Sequence, residues 1–203
     1  MVGYDDNNVY LADTNLESIQ KTSLKSFELA RSSKHKPFSP KNHYATFEFP
    51  KSLPSLKEVI KKSIRTVAEE MLNPPIGNLG INGIRRFGQE FLKLSSYAEI
   101  TFGTKTTGVF RYLYIWLEEA GTGGSCFRNL YRDFLKESMR YVENENLTRG
   151  YEEYGKIADV WKEFSTLLLE IDTGEKGKLG EAQKKIFEIY GLEKNALRIL
   201  KRI

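Results

Sequence analysis

Residues 54–72 read PSLKEVIKKSIRTVAEEML, and this stretch decides the class of the fold. Leu56, Val59, Ile60, Ile64, Val67, Ala68 and Met71 recur at the spacing of one face of an α-helix. Ser55-Leu56-Lys57-Glu58, directly after Pro54, fits a capping box in which serine and glutamate each satisfy an orphan amide of the first turn. Asn73-Pro74-Pro75 stops the pattern, because proline has no N–H to continue the ladder. The helical period then returns repeatedly. Ile81, Ile84, Phe87, Phe91 and Leu94 trace a second helix. A third, from Thr107, is apolar and aromatic nearly all round between Val109 and Leu117, which predicts a central position. A fourth starts near Ser125 with Phe127, Leu130, Tyr131, Phe134 and Leu135. A fifth runs through Tyr154, Trp161, Phe164 and Ile171 to a break at Thr173-Gly174. Two short C-terminal helices are expected to meet at Gly191, a natural left-handed stop.

Toward the N-terminus the pattern changes. Val2 and Tyr4 lead into the turn-forming Asp5-Asp6-Asn7-Asn8, and Val9-Tyr10-Leu11 lead out, the signature of a hairpin. Ser23 is placed to cap a short helix carrying Leu24, Phe27 and Ala30, and residues 32–42, with Pro37 and Pro40, read as a loop. His43 to Phe49 alternates as a strand would. An isolated hairpin is marginal in water, so this ribbon reads as the end of a sheet whose other strands lie elsewhere. The expectation is a mainly α chain: a bundle-like helical domain of about five to seven helices over 51–203, behind a small β element within 1–50.

Composition limits the function classes. The chain has 203 residues, 40% hydrophobic and 29% charged, which fits a globular protein and excludes collagen-like and disordered classes. With 31 Lys+Arg against 27 Asp+Glu, the net charge of +4 is too mild to argue for nucleic acid as a partner. The basic C-terminus (Lys184, Lys185, Lys194, Arg198, Lys201, Arg202) reads as a solvated amphipathic face. One cysteine, Cys126, cannot form an intrachain disulfide, and this predicts a reducing, cytoplasmic setting. No apolar run reaches the roughly 18 residues of a membrane span, so no membrane partner is expected. His35 and His43, without a neighbouring cysteine, form no metal motif, and no metal is expected.

The sharpest local feature is Glu118-Glu119-Ala120-Gly121-Thr122-Gly123-Gly124-Ser125-Cys126-Phe127-Arg128. A glycine-rich turn feeding a helix N-terminus aims backbone N–H groups at one spot and favours an anion there, with Arg128 as a second donor. Glu118, Gly121, Thr122, Gly123, Gly124, Arg128 and Tyr131 are therefore the candidate ligand-binding set. The other reading is a tight turn that lets two helices approach, with Arg128 paired to Glu118. The turn lacks the Gly-Lys-Ser/Thr ending of a nucleotide loop. Cys126 lies near a helix start, where thiol pKa falls, but a nucleophile needs a base beside it and no histidine is adjacent in sequence.

Two stretches carry a family resemblance. Val2-Gly3-Tyr4-Asp5-Asp6-Asn7-Asn8-Val9-Tyr10-Leu11-Ala12-Asp13 resembles the late hairpin of papain-like cysteine peptidases and acyltransferases. The second, Glu118-x-x-Gly-Thr-Gly-Gly-x-x-Phe-Arg-x-x-Tyr-x-x-Phe-Leu, is similar to the helical domain that follows the papain-like domain in proteins like butirosin biosynthesis protein H, as are Asn73-Pro74 and Gly80-x-x-Gly83-Ile84. The resemblance implies acyl transfer from a carrier thioester to an amine, through a Cys–His pair oriented by an acid. Only Asp13 maps onto that triad, in the orienting role; the family's cysteine and histidine precede the matched stretch, and Cys126 is not its nucleophile. The implied entity is a C-terminal part or subunit, inert alone. Its partners would be an N-terminal catalytic half, or a second copy joined at the hairpin edge, together with an acyl-carrier protein whose phosphopantetheine thioester is the donor. The competing expectation is a non-enzymatic helical module for protein interaction or ligand binding.

Overall fold

The structure, a computed structural model, describes residues 1–13, 16–36, 39–46, 48–94 and 108–203. Its contacts divide the chain into two units, Met1–Leu53 and Pro54–Ile203.

In the first unit the acid and amide residues close the hairpin turn themselves. Asp5 Oδ1 accepts from the backbone amides of Asn7 at 2.9 Å and Asn8 at 2.8 Å, and the Tyr10 hydroxyl donates to Oδ2 at 2.8 Å. The Asn7 amide and then the Tyr10 hydroxyl hold the Asp5 carboxyl far below the usual carboxylate range. Strand β1 (Gly3–Tyr4) pairs antiparallel with β2 (Asn8–Leu11), Tyr4 facing Val9. A third strand, β3 (Gln20–Ser23), pairs antiparallel with β2 from Asn8↔Ser23 to Leu11↔Gln20. Its sequence, Gln-Lys-Thr-Ser, has no apolar alternation to announce it; the register comes from pairing with β2. The strand expected over 43–49 does not form at the described positions of that range, and Phe47 lies outside the described residues. β2 already pairs on both sides, and Tyr44 and Phe49 are both 83% exposed, so neither face of that stretch is covered. Helix α1 (Leu24–Ser32) starts where expected, with Ser23 Oγ accepting from the Ser26 amide at 3.0 Å.

In the second unit, α2 (Leu56–Leu72) buries Ile60, Ile64 and Ala68. The Ser55 side chain makes no capping bond; its carbonyl instead accepts from the Val59 amide, so the backbone alone begins the ladder. Helix α3 (Gly80–Glu90) continues into a 3-10 turn, Phe91–Lys93. Gly80 is required at its start: its φ is +54°, and a Cβ there would run into the Met71 carbonyl. Helix α4 (Val109–Tyr114) passes into a π-helical turn, Ile115–Glu119, closed by the Ala120 amide on the Ile115 carbonyl at 2.8 Å. Then follow α5 (Arg128–Ser138), α6 (Glu145–Asp172) and α7 (Leu179–Leu200).

Two expectations about the helices are corrected. The aromatic third helix is not central: Tyr112 and Trp116 are 66% and 56% exposed, and in α4 only Phe110 is buried. The central element is α6, with twelve buried residues along its length. The C-terminal segment is also one helix, with Gly191 inside α7. An interior glycine costs about 1 kcal/mol against alanine. The packing of Ile186, Ile189, Ala196 and Leu197 outweighs that. α6 and α7 come so close at Gly150 that a Cβ would collide with Leu200. Phe164 on α6 is fully buried and meets Phe87, Phe91 and Trp161 edge-to-face, with ring centroids 6.0, 5.7 and 6.0 Å apart. Among the described residues, no helix is long and apolar enough to cross a membrane.

Candidate functional site

The glycine turn lies between the π-helical segment and α5. Gly121, Gly123 and Gly124 take φ values of 77°, 66° and 80°, and the left-handed path continues through Ser125, Cys126 and Phe127 at 50°, 50° and 69°. Three consecutive residues with side chains in that region is a strained arrangement that its surroundings must hold. Thr122 is buried and supplies one tie, its hydroxyl donating to the Leu117 carbonyl at 2.8 Å and accepting from the Gly124 amide at 3.2 Å. Gly123 packs against Leu130, leaving no room for a Cβ.

Arg128 provides the second tie. Its Nε donates to Glu193 Oε1 at 2.5 Å, its terminal nitrogen to the Cys126 carbonyl at 2.6 Å, and its guanidinium lies 5.0 Å from the Trp161 ring centroid. Glu193, on α7, is fully buried and also accepts from Trp161 Nε1 at 3.2 Å and the Tyr154 hydroxyl at 3.4 Å. Burial works against the Arg128 charge, but Glu193 overrides it and lifts the guanidinium above its usual range. Burial, then Glu193, pushes the Tyr154 and Tyr131 phenols up, so both stay protonated at neutral pH. Tyr131 stands edge-on to Tyr154 at 4.6 Å, its buried hydroxyl without a hydrogen-bond partner among the described residues.

The structure thus brings Arg128, Tyr131 and Cys126 together around Glu193, and the anion expected beside Arg128 is the protein's own carboxylate. Glu118 does not pair with Arg128. Its side chain, 5% exposed, reaches Lys162 Nζ at 3.3 Å, while Oε1 has no hydrogen-bond partner among the described residues. Asp13 lies two residues beyond β2, its carbonyl accepting from the Leu16 amide at 3.1 Å. Two of the C-terminal lysines are matched: Lys185 pairs with Glu163 and Glu188, and Lys201 with Glu69.

Burial raises the Cys126 thiol pKa more than Arg128 lowers it, and Glu193 and Glu118 add to the rise. Less thiolate is then present at neutral pH than on a free cysteine, the opposite of a poised nucleophile. Iodoacetamide at about pH 8 should therefore modify Cys126 more slowly in the native protein than in the urea-unfolded chain. A native rate equal to or above the unfolded one would contradict this.

Glu193 is the residue that sequence reasoning missed. Its signal was present: a glutamate stands on the apolar stripe Ile186, Ile189, Ala196, Leu197, where an unpaired charge would be costly. Such a carboxylate demands a buried cation, and Arg128 supplies it from 65 residues away. Among the described residues, no group of three or more His, Cys, Asp or Glu side chains could hold a metal ion.

A family model described as a domain of unknown function, DUF4872, matches residues 25–200. No curated protein and no solved structure matches the chain.

Proposed function

The chain belongs to the DUF4872 family, and we propose that it serves as the C-terminal part or subunit of a papain-like cysteine acyltransferase, inert alone. In this reading the papain-like part supplies the cysteine and histidine, and Asp13 orients the imidazole. An acyl-carrier protein brings the acyl group as a phosphopantetheine thioester, and the acceptor is an amine. The helical unit is a rigid support whose glycine turn is locked by Arg128 and Glu193.

One observation carries the reading. Among the described residues of Met1–Leu53, Val9 is the only buried apolar side chain, while Met1, Val2, Tyr4, Leu16, Ile19 and Leu29 are more than half exposed. A three-stranded sheet draws its stability from a hydrophobic face or a packed helix, and among the described residues here that apolar burial reduces to Val9. Among the described residues no strand pairs with the outer edge of β1, which leaves it a template for strand addition. Further strands of a larger sheet, in the same polypeptide or in a partner, would supply what is missing.

The test is native purification of the endogenous protein followed by its mass after denaturation. The expected result is a polypeptide clearly heavier than 23.4 kDa, or a 23.4 kDa chain that co-purifies with a second chain carrying the cysteine and histidine. A 23.4 kDa protein recovered alone or as a homodimer would overturn the reading. It would favour the second one, a non-enzymatic helical module, which the internal pairing of Arg128 also suits.

A further inference from the structure

Two carboxylates lie beside the glycine turn, and the protein treats them differently. Among the ion pairs of the described residues, only Glu193 and Glu118 have acid side chains less than a tenth exposed, at 0% and 5%. Glu193 has donors on both oxygens: Arg128 and Trp161 on Oε1, the Tyr154 hydroxyl on Oε2. Glu118 receives Lys162 Nζ on Oε2 at 3.3 Å, and its Oε1 is buried with no donor among the described residues. A buried, charged acceptor left without its hydrogen bond bears the full cost of having left water.

The surroundings narrow what could supply the missing bond. Oε2 lies 3.3 Å from the place a Gly124 Cβ would take, and a Cβ on Gly121 would meet nothing within 4 Å, so the carboxylate rests against bare glycine backbone. Lys162, on α6, reaches it from the solvent side, with its own side chain 59% exposed. An ion pair with one partner so open to water contributes little and is readily displaced. The Lys162 ammonium also shows which group the carboxylate accepts. An external anion would be repelled by Glu118. A divalent cation asks for several oxygen ligands, and among the described residues no three ligating side chains gather. An organic ammonium carries three donors on one charge, enough for both carboxylate oxygens, and its exchange for Lys162 leaves the local charge unchanged.

We propose that Glu118 binds the primary ammonium group of a small amine, which displaces Lys162 Nζ and donates to both carboxylate oxygens. The inference stands on the helical unit alone. The acyltransferase reading, whose acceptor is an amine, would give such a ligand a role, but the binding experiment involves no acyl transfer and so fails or succeeds separately. The probe is n-butylammonium chloride, which matches the end of a lysine side chain, titrated into the isotopically labelled full chain. The amide resonances of Gly121, Gly123 and Gly124 should shift saturably. Tetramethylammonium chloride at the same ionic strength, a cation without N–H donors, should not reproduce that shift. Glu118→Gln, which keeps the shape and removes the charge, should weaken binding by about tenfold or more. Lys162→Ala, which removes the internal competitor, should tighten it by about threefold or more, an effect a purely structural ion pair would not give. Lys185→Ala, on another ion pair, should leave it within about twofold. Lys162→Ala alters an exposed side chain, so it keeps the test decisive if the Glu118 variant does not fold. The proposal is overturned by the absence of saturable shifts, by an equal response to tetramethylammonium, by unchanged affinity in a folded Glu118→Gln, or by no tightening in Lys162→Ala. Tighter binding of n-butylguanidinium would overturn the ammonium assignment.

Discussion

Replacing Arg128 by alanine is expected to destabilise the helical unit by about 3–5 kcal/mol, because it strands a buried carboxylate. Glu193 is fully buried and Arg128 is 15% exposed, so water screens little of their attraction. The Trp161 and Tyr154 donors would remain, but they are neutral and do not balance a charge. The guanidinium also bonds the carbonyl of Cys126, in the middle of the left-handed run, so its loss releases a strained turn as well. Arg128→Lys should recover only part of the loss, because an ammonium cannot present two directed donors from one plane. The double variant Arg128→Met/Glu193→Leu should lie much closer to wild type, since replacing a buried ion pair by apolar groups is often near neutral. Urea unfolding followed by far-ultraviolet circular dichroism reads all three. A midpoint for Arg128→Ala within error of wild type would mean that Glu193 is not relying on it. The guanidinium would then be available to an external anion, as the glycine-rich motif first suggested.

The same pair shows what the sequence could and could not disclose. Apolar spacing located α2 and α6, and Ser23 marked the start of α1, because those signals are local: a period of 3.6 residues, a side chain within reach of the next turn. Pairing between distant residues left weaker traces. β3 has no alternation of its own and exists because β2 offers an edge. Gly191 looked like a stop, yet α6 holds α7 together through it. The aromatic run after Thr107 looked central because apolarity alone does not say which residues find a neighbour, and Trp116 finds solvent. At the candidate site the glycines and Arg128 were legible as a unit. Their purpose was not, because the deciding residue, Glu193, lies 65 positions downstream on another helix.

Phe164→Ala should also cost about 3–5 kcal/mol, through an empty volume at the centre of α6 rather than through charge. The ring is fully buried, and its partners come from two elements besides its own: Phe87 on α3, Phe91 in the turn after it, and Trp161 one turn back on α6. Those rings are large and held edge-to-face with one another, Phe87 on Phe91 at 5.6 Å, so they cannot collapse into the space without giving up that geometry. For a domain of this size the loss corresponds to a fall in melting temperature of roughly 6–20 °C. The exposed Phe187→Ala, 39% accessible, should move it by no more than a few degrees. Tryptophan emission adds a local readout. Trp161 is 4% exposed and touches the deleted ring, whereas Trp116 is already 56% exposed and contributes a solvent-like background. The Phe164→Ala spectrum should therefore change through Trp161 alone, and Trp116→Phe in the same background should leave that change intact. A variant that keeps both its melting temperature and its Trp161 emission would mean that α3 and α6 do not meet at Phe164.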